Sequence, residues 1–146
     1  MNTNKTQAEQ LPQDAVMQSV LKESDLRIGN FIKVISTTKT FDSFITQAKG
    51  YDIVRIEEKS FNHWNYEPII LNEEWLLKFG FKKTIGSNES NFTDGVYNFF
   101  TNSLGEVNFY YFKEGDWYQK LDYVHQLQNL YFALTQREIT VAGNVS

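Results

Sequence analysis

The sequence predicts an α+β domain, an antiparallel β-meander packed with two main helices at about residues 72–79 and 122–134 and a short N-terminal helix. Three observations carry that expectation. Two segments repeat apolar side chains at helical spacing behind a residue able to cap the first turn. Between Phe81 and Lys120, Gly, Asn, Asp and Ser recur every few residues and divide the stretch into short strands. The chain is also rich in rings, with 12 Phe, 8 Tyr and 3 Trp among 146 residues, and side chains of that size can build a core in a small domain.

In chain order, residues 1–10 are polar without periodicity and are expected to be a disordered lead-in. Residues 11–25 are expected to form an N-terminal helix or arm, because Val16, Val20 and Leu21 fall at helical spacing, Pro12 suits a first turn and Ser24-Asp25 suits a stop. Residues 26–146 are then a single α+β domain. From Leu26 to Ser36 β-branched and aromatic residues dominate, and Gly29-Asn30 marks a bend with a strand after it. Residues 37–50 are expected to be a loop, with at most one helical turn around Phe41, Phe44 and Ile45. Residues 51–57 carry an extended pattern and are expected to pair with the first strand. Residues 67–71 are expected at a sheet edge, since Pro68 has no N–H to donate.

Asn72 can cap the next segment, Glu73 and Glu74 sit at its positive end, and Gly80 terminates it; Trp75, Leu76 and Phe79 share its apolar face. The turn signals that follow predict strands at 81–84, 96–101, 107–112 and 117–120. Alternation within the third puts Val107, Phe109 and Tyr111 on one side and Asn108, Tyr110 and Phe112 on the other. Rings on both faces require either a cover on each face or a face left open for contact. Behind Asp122, the residues Val124, Leu127, Leu130, Tyr131 and Leu134 form a helical stripe, with His125, Gln126 and Asn129 opposite. A strand-like run at 138–141 precedes a polar tail.

Charge and motifs remove several function classes. A net charge of −4 with pI near 5.2 provides no electrostatic capture of phosphate, so direct nucleic-acid binding is disfavoured. With no cysteine there is no disulfide or thiolate metal site, which suits a reducing cytoplasm, and no apolar run reaches a membrane span or a signal-peptide core. The chain lacks a phosphate-binding loop, any Gly-x-Gly triplet and Gly-x-Ser-x-Gly. His63 and His125 stand apart, and the pairs Glu57-Glu58 and Glu73-Glu74 are adjacent rather than convergent. No catalytic, cofactor-binding or metal-ligating residue is therefore expected, and the chain is not expected to be an enzyme.

What remains is contact chemistry. The candidate partner-binding residues are Tyr97, Phe99, Tyr110, Phe112, Trp117 and Tyr118 on the meander, with His125, Gln126 and Asn129 on the last helix. Interleaved rings also suit single-stranded nucleic acid, but from Val96 to Lys120 only Lys113 and Lys120 stand against Glu106, Glu114 and Asp116.

Three motifs carry a resemblance: Leu26-Arg27-Ile28-Gly29-Asn30; the stretch from Pro68 to Phe81 centred on Glu73-Glu74-Trp75-Leu76-Leu77-Lys78-Phe79-Gly80-Phe81; and Tyr123-Val124-His125-Gln126-Leu127-Gln128-Asn129-Leu130-Tyr131-Phe132-Ala133-Leu134-Thr135. In these the chain resembles a widespread group of small uncharacterised proteins of bacterial chromosomes, prophages and conjugative elements. Similar proteins commonly have Thr-Gly where this chain has Thr135-Gln136, and the N-terminal extension lies outside the resemblance. The resemblance implies a mobile-element setting and brings no activity, cofactor or catalytic residue. The expectation is a non-catalytic protein-binding module whose partner is a host or viral protein, such as a stoichiometric inhibitor of a host defence nuclease acting on a CRISPR effector ribonucleoprotein. The alternative is a single-stranded nucleic-acid-binding accessory protein that uses an aromatic sheet face.

Overall fold

Two antiparallel sheets of unequal size organise the chain, and each has its own apolar cluster. This computed structural model describes residues 21–59, 63–84, 90–111 and 117–143, with the backbone alone at 110, 111, 117 and 118. The α+β class is as expected. The lead-in and most of the N-terminal arm lie outside the described residues, and Glu23–Asp25 is a single 3-10 turn.

The smaller layer is built by β1 (Phe31–Ser36), β2 (Phe44–Gln47) and β3 (Trp64–Glu67), in the order β2-β1-β3. Ile32 and Val34 alternate inward from β1 and are buried. Between β2 and β3 runs α1 (Gly50–Glu58), whose Ile53 and Ile56 pack with Ile32, Ala48, Leu21, Leu26 and Tyr66. Three expectations are corrected here. Residues 51–57 form a helix rather than a strand; residues 37–50 contain β2; and the strand expected at 67–71 is β3, which ends before Pro68. The helix prevails over its β-branched content because Asp52, Ile53 and Ile56 meet the sheet at helical spacing, and the Asp52 carboxylate accepts from the Lys49 N–H at 2.9 Å to close the first turn. Lys59 ends α1 at φ 52, a left-handed cap.

The larger layer is the meander. Its strands β4 (Lys82–Thr84), β5 (Ser90–Thr93), β6 (Asn98–Thr101), β7 (Val107–Tyr111) and β8 (Trp117–Leu121) lie side by side in chain order, all antiparallel. Here β5 is an addition to the expected strands. The register sets Phe92 against Phe99 and Phe99 against Phe109, so three rings line one face. α3 (Val124–Thr135) covers that face with Val124 and Leu127, while Tyr131 packs against the same cluster. α2 (Glu73–Lys78) begins where Asn72 Oδ1 accepts from the Trp75 N–H at 3.2 Å, and its Trp75 and Leu76, with Phe79 just beyond, complete the core. The run at 138–141 is no strand; Ile139 reaches the core and Val141 packs beside it without ladder pairing. No helix among the described residues is long and apolar enough to cross a membrane.

The layers join along a polar seam. The Leu26–Asn30 turn lies on α3, where Gln128 accepts from the Phe31 N–H at 2.8 Å and donates to the Gly29 carbonyl at 3.2 Å. Asn129 donates to the Asp25 carbonyl at 2.8 Å. Arg27 stacks on Phe132 with its guanidinium carbon 3.7 Å from the ring centroid and pairs with Glu138. On the other side of the turn the Phe31 ring meets Trp75 at 5.4 Å and Phe79 at 6.1 Å. Residues 69–71 meet the start of α3, with Leu71 N–H donating to Asp122 and Val124 N–H to Ile69, both at 2.9 Å.

Candidate interaction surface

A three-stranded sheet with one helix cannot enclose all of its own side chains, and in the smaller layer the excess faces outward. Phe44 is 49% exposed and Ile45 48% exposed on β2, and Tyr51 54% and Val54 47% on α1; Ile28 and Phe41 are also exposed. The Phe41 and Phe44 rings touch at 5.8 Å, so this apolar surface is contiguous along the edge. Successive residues of a strand send their side chains to opposite faces, which puts Phe44 on the α1 face and Ile45 on the other.

Strand β2 is also an unpaired edge among the described strands. The Ala48 N–H donates to Asn30 at 2.7 Å and the Ala48 carbonyl accepts from the Gly29 N–H at 2.8 Å, so its backbone groups point toward the neighbouring strand. By alternation those of Thr46 and Phe44 do the same, and the N–H and C=O groups of Ile45 and Gln47 point outward. Phe44 to Gln47 carry no charge, proline or glycine, the features that usually keep an edge from pairing with another chain.

Where α1 crosses to the opposite edge strand, β3, stands a corner of rings and cations. The Arg55 guanidinium carbon lies 5.3 Å from the Tyr51 centroid and 5.2 Å from that of Trp64, and Lys49 Nζ lies 5.8 Å from Tyr51. Arg55 hydrogen-bonds Tyr66, which donates to Asp52 Oδ1 at 2.9 Å. That bond holds the Arg55 pKa above its ordinary value, and burial raises the Tyr66 phenol. Asp52 is buried beneath these groups, with one carboxylate oxygen on Tyr66 and the other on the Lys49 N–H.

Of the residues expected to make contacts, Tyr97, Phe99, His125, Gln126 and Asn129 have described side chains. Phe99 is 2% exposed in the meander core, where its ring meets Phe81 at 4.9 Å and Phe109 at 5.2 Å, so it presents no surface. Tyr97 is half-buried against Phe109 and Tyr131. His125 is 3% exposed and stacked on Tyr123; burial lowers its pKa. Gln126 accepts from the Asp122 and Tyr123 N–H groups and so closes the start of α3, while Asn129 belongs to the seam. The backbone register brings Tyr110 opposite Tyr118 and Trp117 opposite Tyr111; the side chains of Tyr110, Trp117 and Tyr118 lie outside the described set, as does Phe112 altogether.

The structure thus leaves Phe44 and Ile45 open on β2 and, apart from them, brings Arg55 onto Tyr51 and Trp64; none of these was expected from the sequence to make contacts. The available signal was Asp52, three residues beyond Lys49 at the position that closes a helical first turn; it would have made 51–57 a helix and set Tyr51 and Arg55 four apart on one face. Among the described residues no group of three His, Asp or Glu side chains could hold a metal ion. No family model, no curated protein and no solved structure matches the chain.

Proposed function

We propose that the chain is a non-catalytic protein-binding module, and that it takes an extended segment of a partner polypeptide onto the open edge of β2. The observation that supports this reading is the uncharged edge strand, with Phe44 and Ile45 about half exposed on its two faces. Main-chain bonds to Ile45 and Gln47 would supply affinity in such a complex, and side-chain contacts with Phe44 and Ile45 would supply selectivity. A mobile-element setting, implied by the resemblance of the motifs, directs the search for that partner to host or viral proteins, defence effectors included.

The test compares two proteins with equal folding. Wild type and Phe44→Thr are matched by circular dichroism and thermal melting, then used as bait in host lysate, and a captured protein is titrated against both in purified form. Loss of about tenfold or more in affinity for Phe44→Thr is expected, the size of effect that truncating an interface anchor produces. A partner bound equally by both proteins would remove β2 as the contact edge.

A further inference from the structure

We propose that the junction between α3 and the Asp25–Phe31 turn opens on acidification: uptake of a proton by His125 releases the turn from the helix while each layer keeps its own core. This device acts at the seam and stands apart from the strand-addition reading of β2.

One face of α3 makes the junction. His125, Gln128, Asn129 and Phe132 follow one another at i, i+3, i+4 and i+7 and so share that face. Gln128 holds the Phe31 N–H at 2.8 Å and the Gly29 carbonyl at 3.2 Å, Asn129 holds the Asp25 carbonyl at 2.8 Å, and Phe132 carries the Arg27 guanidinium. His125, the first of the four, is 3% exposed and is not held in this way. Its Nδ1 is buried with no hydrogen-bond partner among the described residues, and so is the Asn129 Oδ1 one turn further on.

Such a place suits a neutral imidazole and not a charged one. The neutral ring carries a single N–H and stacks on Tyr123 with centroids 5.6 Å apart, whereas the imidazolium presents two N–H donors and a full charge that must be solvated or paired. The charged residues around the junction are Glu23 and Asp25 in the 3-10 turn, Arg27 in the turn that follows, Lys120 and Asp122 ahead of α3 and Glu138 beyond it; α3 itself has none. Arg27 pairs with Glu138, and Lys120 with Glu106 and Asp122. Of the described charged groups only the Asp25 carboxylate favours a proton on His125, and Asp25 is exposed, so burial prevails and holds the imidazole below its ordinary pKa.

Release of the turn resolves the conflict. Once water reaches His125 it titrates at its ordinary value, so the open state takes up a proton before the closed one and the opening constant rises as pH falls through 6.5. The rise levels off when the closed-state imidazole titrates as well. The turn can yield alone, because three side-chain hydrogen bonds and one cation–ring stack tie it to α3, while each layer has a separate apolar cluster. The contacts of the Phe31 ring with Trp75 and Phe79 involve no titratable group and keep the layers tethered.

Amide hydrogen exchange of the full chain, corrected for the chemical exchange rate, gives opening constants at pH 7 and pH 5. Those of Gly29 and Phe31 are expected to rise about tenfold at the lower pH and, at both values, to stay about tenfold or more above those of Phe92, Phe99 and Phe109. His125→Gln should remove the rise. Should that variant fail to fold, the ring-carbon shifts of wild-type His125 test the same point, since the folded imidazole must titrate below 6.5. Titration at or above that value overturns the inference. Unchanged or smaller opening constants at pH 5 also overturn it, because protonated His125 would then have found an acceptor inside the closed junction. An equal rise in His125→Gln assigns the effect to other groups, and one common opening constant for both sets of amides shows a chain that unfolds as a unit; either result overturns the inference.

Discussion

Phe99 and Phe44 are both strand phenylalanines, yet one is 2% exposed and the other 49%. The difference lies in the layers that hold them. Five strands, α2 and α3 provide enough surface to enclose Phe92, Phe99 and Phe109 on the covered face. Three strands and the nine-residue α1 enclose Ile32, Val34 and Ile56 but not the rings at the β2 edge. Among the described residues, Phe92, Phe99 and Phe109 therefore serve packing while Phe41, Phe44 and Tyr51 lie open, and the size of the layer around each ring decides which.

The largest effect that would sharpen this contrast is expected in the meander. Phe99→Ala leaves a cavity between Phe81 and Phe109 and should cost about 3–5 kcal/mol, enough to unfold a domain of ordinary stability. Urea denaturation followed by tryptophan fluorescence measures it. A cost below about 1 kcal/mol would mean that the meander core is loosely packed and that the two layers differ less than their burial suggests.

Next in size is the seam. Gln128→Ala leaves the Phe31 N–H without its partner, at about 1–3 kcal/mol for an orphaned group, while the Gly29 carbonyl still accepts from Gln47 Nε2 at 3.3 Å. The loss should be local. Hydrogen exchange is expected to quicken at Phe31 and in β1 while the Phe92, Phe99 and Phe109 amides stay protected; uniform quickening would show that the layers unfold as one unit.

The seam also couples to pH through His125. Burial lowers its folded pKa below the ordinary value of 6.5, so as pH falls the unfolded chain takes up a proton before the folded one does. This contribution to stability is present above the unfolded value, falls away as pH drops through the window beneath it, and levels off once the folded imidazole titrates. The denaturation midpoint should therefore decline below pH 6.5, and His125→Gln should flatten that decline; an unchanged slope in the variant would assign the pH dependence to other groups.

Much of the meander was legible because turn residues mark its limits, and α2 and α3 because their apolar stripes have helical spacing behind Asn72 and Asp122. Strand β5 escaped because Phe92 is the one apolar residue in Ser-Asn-Phe-Thr, too little for a period-two pattern. Helix α1 escaped because Ile53, Val54 and Ile56 are β-branched, and the capping bond of Asp52 outweighs a difference in propensity of tenths of a kcal/mol. Phe99 was expected at a contact surface for a related reason. Ring content is visible in sequence, but whether a ring is enclosed depends on how many strands its sheet acquires. Without α1 there was no corner to notice, since Arg55 meets Trp64 only when the helix folds back over β3.

The smallest expected effect is the most discriminating. Phe44 has already left about half of its surface in water, so Phe44→Thr gives up only part of the 1.5–3 kcal/mol that full burial of such a side chain contributes, and threonine keeps the β-branch that a strand favours. A loss of about 1 kcal/mol or less is expected, well below that for Phe99→Ala, together with a large loss of partner binding. Thermal melting and titration of the same sample separate the two quantities. A cost near that of Phe99→Ala would mean that the β2 edge is enclosed in solution, and the division between packing layer and contact layer would fail at the strand on which it depends.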